Sequence, residues 1–215
     1  MPELKKTFII TSVIYFSSAK LFDSSIRSVF TPEERTMQTI KTIRSIREKV
    51  PGATILLLEM GKEKNIAKEL TGIVDKYVFI GDHALVQWAV NGKFRGLGEA
   101  MGLIVSRKEL NTDADFFFKM SGRYFLNDHF EPAIWQGDFF LAKKYGEGIS
   151  TRLYGFGRGF FSGWQKALKR SLWQLYRGRS IEDVFPAKFG KERIHDIKRI
   201  GVTGCVAPDG TYLEE

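Results

Sequence analysis

Residues 115–123 read Asp-Phe-Phe-Phe-Lys-Met-Ser-Gly-Arg, and this stretch decides the fold. Apart from Asp115 at its start and Lys119, residues 115–120 are apolar and β-favouring, with three phenylalanines in succession, the pattern of a strand covered on both faces. Ser121-Gly122-Arg123 then breaks it off. A strand buried on both sides belongs to a parallel sheet flanked by helices, and such sheets take their ligands just beyond the carboxyl ends of the strands.

Upstream, the same kind of run recurs at residues 7–15, 53–59 and 73–80. Between the first two lies a helix with explicit signals. Thr31 can cap it, Pro32 suits the first helical position, and Glu34 completes a capping box. Ile40, Ile43, Ile46 and Val50 follow at helical spacing until Pro51-Gly52 stops the helix. A shorter helix is expected over residues 63–70 and another over residues 96–110. The order is β-α-β-α-β, which implies a parallel sheet with right-handed crossovers.

Downstream the character changes. Residues 138–144 and 150–161, separated by Tyr145-Gly-Glu-Gly148, predict an antiparallel hairpin. A basic amphipathic helix over residues 162–177 follows, then a short helix opening at Ser180, then a strand region over residues 193–207. The expected fold is α/β, a Rossmann-like, mainly parallel sheet with helices on both faces and a mixed antiparallel C-terminal part. With no repeat, low-complexity tract or linker, residues 1–215 read as a single domain.

Composition narrows the setting. In 215 residues, 43% hydrophobic content suffices for such a core, and no stretch approaches the roughly 18–20 apolar residues of a membrane span. The opening Met-Pro-Glu-Leu-Lys-Lys leads into a strand pattern without a signal-peptide h-region, so a cytoplasmic protein is expected. A single cysteine, Cys205, excludes an internal disulfide and a clustered-thiol zinc site, and no His, Cys or carboxylate spacing suggests a tight metal site. The net charge of +8 suits an anionic partner, whether nucleic acid, membrane or phosphorylated ligand.

The order of parts resembles the A-type fold of glycosyltransferases, in which a parallel nucleotide-binding half leads into a mixed acceptor-binding half. Three segments carry the resemblance: the first strand with its helix, Lys93-Phe-Arg-Gly-Leu-Gly-Glu-Ala100, and Asp113-Ala-Asp-Phe-Phe-Phe-Lys-Met-Ser-Gly-Arg-Tyr124. It implies a nucleotide-sugar-binding half at residues 1–124 and an acceptor-binding half at residues 125–215. The donor would be a nucleoside-diphosphate sugar and the acceptor a glycan or a lipid-linked molecule. Many members end the fourth strand in an Asp-x-Asp motif that holds a divalent cation against the diphosphate. Here Ser121-Gly122-Arg123 stands in that place, so a divalent cation such as Mg or Mn is not required by the motif. A guanidinium could neutralise the diphosphate instead.

By the same resemblance, Thr11 and Ser12 at the end of the first strand would hold the nucleotide, with Ser121 and Arg123 beside them. Arg27, Arg35 and Arg95 are further cations able to reach phosphate; each alone also reads as a surface charge. Glu182 and Asp183 in Ser180-Ile-Glu-Asp-Val-Phe resemble the acidic pair set beside the acceptor, with Asp183 as the expected base and Glu182 next to it. Both acids also suit a helix N-terminus, where Ser180 and Asp183 fit a capping box. His195 would make a late metal or diphosphate contact, or is structural.

Some patterns mislead. Asp113-Ala114-Asp115 spells Asp-x-Asp but precedes the apolar run, which places it at the wrong end of the strand. Gly96-Leu-Gly-Glu-Ala-Met-Gly102 imitates a dinucleotide fingerprint without following the first strand. On the helix over residues 162–177, Trp164, Leu168, Leu172 and Leu175 share a face, while Lys166, Lys169, Arg170 and Arg177 enrich the rest. This is a core helix with a solvated basic face, or a contact with an anionic membrane surface or with a lipid-diphosphate-linked acceptor. Gly155-Phe-Gly-Arg-Gly-Phe160 reads either as a flexible acceptor wall or as close backbone packing. A nucleotidyltransferase on a related fold is a rival, although its glycine- and arginine-rich opening loop is missing. A non-catalytic basic nucleic-acid-binding domain is a second rival, but the Phe-rich strands read as buried, so no nucleic-acid partner is expected.

Overall fold

The computed structural model describes residues 4–17, 20–21, 26–94 and 96–215. Its first half runs β1 (Lys6–Ser12), α1 (Pro32–Lys49), β2 (Thr54–Glu59), α2 (Lys68–Gly72), β3 (Lys76–Phe79), α3 (Ala84–Asn91), α4 (Leu97–Val105), α5 (Arg107–Leu110) and β4 (Phe116–Ser121). The second half comprises β5 (Tyr124–Leu126), β6 (Phe140–Tyr145), β7 (Gly148–Gly157), α6 (Phe161–Tyr176), α7 (Ile181–Phe189), β8 (Ile194–Asp196), β9 (Val202–Cys205) and β10 (Tyr212–Glu214).

The strands form a seven-stranded sheet in the order β3-β2-β1-β4-β7-β6-β8 and a three-stranded sheet β10-β9-β5. β1 to β4 are mutually parallel, and β7 enters antiparallel against β4. Alternation along the strands explains the unbroken apolar runs. Ile9, Leu56 and Phe117 point to one face, where Val86 of α3, Leu103 of α4, Trp164 of α6 and Phe185 of α7 cover them. Phe8, Leu57 and Phe118 point to the other, under Ile40, Ile43 and Ile46 of α1 and Tyr124 and Val202 of the small sheet. Both faces are covered, so the polar residues within these strands, such as Lys119, are buried and must find partners.

The α1 signals act as expected: Thr31 accepts from Glu34 N while the Glu34 side chain accepts from Thr31 N. Several elements differ from the sequence expectation. α3 is unforeseen, because it opens after His83 without a side-chain cap and so has no start signal. The helix expected over residues 63–70 shrinks to Lys68–Gly72, also uncapped, and the helix over residues 96–110 is two pieces meeting at Ser106. The strand region over residues 193–207 divides between both sheets as β8 and β9, because Gly201, with φ of +69°, turns the chain tightly past the Phe130 backbone. β5 and β10, three residues each, exist only through pairing with β9.

Two ambiguous motifs resolve at the amino edge of the sheet, away from the ligand edge. Asp113 pairs with Lys5 at 2.6 Å and Asp115 accepts from Lys5 N, so this pair is a strand start. Gly155 pairs with Phe118 in β4, and a β-carbon on it would lie 2.6 Å from the Phe116 ring and 3.0 Å from Trp135. Gly157 is equally hemmed in by the Gly137 carbonyl. The glycine-rich stretch is therefore close packing and not an acceptor wall. Among the described residues, no helix is long and apolar enough to cross a membrane.

Candidate functional site

β1 and β4 are neighbours with Thr11 opposite Ser121, so both strands end at one level. Gly122 N donates to Thr11 O at 3.0 Å, and Thr39 of α1 donates to Gly122 O at 3.1 Å, which fixes the turn that follows β4. Beyond it opens a cleft of about 640 Å³. Thr11, Ser12, Ser121, Gly122 and Arg123 form its floor; the N-terminal ends of α4 and α7 and the start of β7 complete the wall. Arg35, one helical turn before Thr39 on α1, reaches the same space.

Arg35 and Arg123 bring positive charge to the cleft, alongside Lys93, Arg152 and Arg179 of the same lining. The Arg35 guanidinium lies 5.0 Å over the Phe16 ring and, among the described residues, makes no hydrogen bond or ion pair. Burial, together with repulsion from Arg123, lowers its pKa to about 9, against a smaller opposing pull from Glu59. It remains charged at neutral pH but poorly compensated. An anion arriving beside Arg35 would supply the compensation that the described surroundings of this guanidinium do not. Arg27 also lines the cleft, but its terminal nitrogens donate to the carbonyls of Val90 and Gly92, each at 2.6 Å, and cap the C-terminal end of α3. Arg95 lies outside the described residues.

The opposite wall is acidic. Glu182 and Asp183 occupy the first turn of α7, whose N-cap is Ser180. The expected capping box is not formed as such: Ser180 accepts from Glu182 N, not from Asp183. The Glu182 carboxylate is held at both oxygens, by Thr151 Oγ1 at 2.7 Å and Ser180 Oγ at 2.5 Å. Asp183 lines the cleft, is exposed, and makes no hydrogen bond or ion pair among the described residues. Of the two acids, Asp183 is the one whose carboxylate has no hydrogen-bond or ion-pair partner among the described residues.

Beneath the cleft runs a chain of polar contacts that sequence reasoning missed. Lys119 of β4 is fully buried; its Nζ lies 2.7 Å from Glu99 Oε1 and donates to Thr151 O at 2.7 Å. Glu99, in the first turn of α4, accepts from Thr11 Oγ1 at 3.3 Å, and Thr151 passes the connection to Glu182. Thr11, Glu99, Lys119, Thr151, Glu182 and Ser180 thus tie the floor to the acidic wall. The signal was the lone cation inside an otherwise apolar strand, which a buried charge tolerates only when paired. Glu59, at the end of β2, was missed too. Burial raises its pKa, yet it accepts from Ile14 N at 2.9 Å and Gly61 N at 2.7 Å, which anchors the loop after β1.

The donor set does not suit a divalent cation in the place of Asp-x-Asp. Glu99 is paired with Lys119 and Glu182 with two hydroxyls, Asp183 lies on the opposite wall, and Arg123 follows β4 where the motif would put a carboxylate. Among the described residues no group of three His, Cys, Asp or Glu side chains converges. His195 is on the outermost strand with its ring edge-on to Phe139, outside the cleft. His83 precedes α3 and His129 lies 3.5 Å from Glu214; neither lines it.

The parallel sheet that turns mixed after its fourth strand is the fold seen in solved glycosyltransferases. Among solved structures the chain is similar to the apo structure of WbbM, a bifunctional glycosyltransferase, with a TM-score of 0.52 and 8% identity over 91% of this chain and 39% of that one. It is also similar to the glycosyltransferase GlyE of Streptococcus pneumoniae TIGR4, with a TM-score of 0.52 and 9% identity over 91% of this chain and 46% of that one. The chain spans less than half the length of either, and at such identity the likeness is one of fold. No family model and no curated protein sequence matches it.

Proposed function

We propose that this protein is a glycosyltransferase, inverting in outcome, that takes a sugar from a nucleoside diphosphate and places it on a hydroxyl of a glycan or lipid-linked acceptor. One observation carries the reading: uncompensated Arg35 and the free carboxylate of Asp183 line a single cleft at the carboxyl edge of β1 and β4. Thr11, Ser12 and Ser121 would receive the nucleotide, with residues 1–124 as the donor half and residues 125–215 as the acceptor half. As the acceptor oxygen attacks the anomeric carbon, Asp183 takes its proton. The bond from that carbon to the diphosphate oxygen breaks, and the electron pair leaves with the diphosphate. Arg35 and Arg123, which line the same cleft, would neutralise that growing charge, the task a cation would otherwise perform. The reaction is assigned to the cytoplasm.

Thermal melting with a panel of nucleoside diphosphates tests the reading. At a hundredfold excess over Kd, binding contributes about 2.7 kcal/mol, a rise in Tm of about 5–10 °C for a chain of this size. The rise should survive a chelator. No shift with any nucleotide, with or without magnesium or manganese, would remove the donor site; a shift abolished by chelator would overturn the cation-free reading.

Arg35→Met separates charge from packing. Because the folded-state pKa lies below the ordinary arginine value, Arg35 lends stability only at high pH and withdraws it as pH falls through about 9. At pH 7 the charged group therefore costs the fold something. We expect Arg35→Met to melt no lower than the parent at pH 7, while diphosphate affinity in calorimetric titration falls about 10- to 150-fold, the worth of a hydrogen bond to a charged group. Unchanged affinity would take Arg35 out of the site.

A further inference from the structure

Next to the cleft, α3 and α6 present an aromatic surface that no packing requires. Trp173 is 65% exposed and Trp88 53% exposed, and Tyr176 and Leu85 are exposed beside them. The rings are gathered and not scattered: Tyr176 lies 5.8 Å from Trp88, 6.2 Å from Trp173 and 5.5 Å from Phe94. The buried face of α6 is already filled by Trp164, Leu168 and Leu175, so these aromatics are additional to the core helix foreseen from the sequence.

Within the two helical segments the charge has one sign, with Asp82 and Glu99 flanking the first of them. Residues 83–98 and 149–181, which contain both helices, include no Asp or Glu. Lys166, Lys169, Arg170, Arg177 and Arg179 are exposed along and just after α6. Trp and Tyr side chains combine an apolar body with a polar edge and favour the headgroup level of a bilayer, while flanking Lys and Arg are drawn to anionic lipid. Clustered rings ringed by cations, without an acidic residue among them, match that surface.

We propose that this face docks the protein onto an anionic bilayer. Trp88, Trp173 and Tyr176 insert at headgroup depth, and the α6 cations contact lipid phosphates. Phe94 touches Tyr176 and also lines the cleft, as do Gly178 and Arg179 at the end of α6, so docking sets the cleft mouth beside the membrane. The surface stands apart from the sugar-transfer reading, since membrane binding needs neither donor nor turnover. Joined to that reading, it selects a lipid-linked acceptor.

Vesicle binding tests it directly. The protein is mixed with phosphatidylcholine vesicles, with or without phosphatidylglycerol, and followed by co-sedimentation and tryptophan emission. Trp135 and Trp164 are fully buried and give a constant background, so a blue shift reports Trp88 and Trp173. We expect binding to anionic vesicles to be about tenfold or more tighter than to neutral ones and to weaken as salt rises. The double variant Trp88→Ser, Trp173→Ser should lose about tenfold or more of that binding. Its melting temperature and its diphosphate-induced shift should match the parent, which separates failure here from failure of the donor site. Equal affinity for neutral and anionic vesicles, or undiminished binding by the variant, would overturn the proposal. So would a concentration-dependent dimer that the variant abolishes, which would make the patch a contact between copies of this chain.

Discussion

Replacing Asp183 by Asn is expected to lower sugar transfer by about 10²- to 10⁴-fold, the usual contribution of a positioned general base. The structure makes this substitution informative. Ser180 caps α7 through Glu182 N, so the Asn leaves the cap intact and removes only a charge near the helix N-terminus. Melting temperature and nucleotide affinity should stay close to the parent. Glu182→Gln is the contrasting variant. Its carboxylate already serves Thr151 and Ser180, so its loss should disturb the start of α7 and lower stability along with rate. The readout is turnover with a saturating donor, with melting measured in parallel. An Asp183→Asn enzyme that keeps most of its turnover would return this carboxylate to a place on the helix end and leave Glu182 as the group to test.

Lys119→Met is expected to be the most damaging substitution to stability. It removes one partner of a buried pair, leaving Glu99 charged beneath the cleft and Thr151 O without its donor. Breaking such a pair from one side costs about 3–5 kcal/mol, which for a chain of this length lowers Tm by about 6–20 °C. The double variant Lys119→Met, Glu99→Gln removes the stranded charge and should recover much of that loss. Urea denaturation of the four proteins in this cycle yields the coupling energy. A single variant less than about 1 kcal/mol below the parent would mean that Glu99 is solvated well enough to need no partner.

Local order was largely legible. The doubly apolar runs of β1, β2 and β4 and the capping box of α1 depend on neighbours a few residues away, and the structure follows them closely. α3 was not legible, because a helix without caps announces itself only through what it packs on. β5 and β10 were hidden for a related reason: each borrows its strand character from β9, more than 75 residues along the chain in the case of β5. For the candidate site, residue types were legible but their employment was not. Arg27 and Arg35 look alike in sequence. One caps a helix with its guanidinium and the other reaches the cleft over the Phe16 ring with no hydrogen bond or ion pair among the described residues, a difference made by where α1 and α3 come to rest.

By itself the sequence determined that the chain forms a parallel α/β sheet broken at Ser121-Gly122-Arg123, because burial on two faces and the steric rules of helix ends act over short distances. Only the tertiary structure decided which charges meet. Lys119, Glu99, Thr151 and Glu182 come from β4, α4, β7 and α7, and their 2.7 Å contacts arise from the pairing of β7 against β4 with helices packed above. The aromatic face of α3 and α6 is likewise a product of two helices brought together. Electrostatic and packing energies depend on separation in space, and spacing along the chain does not carry that distance.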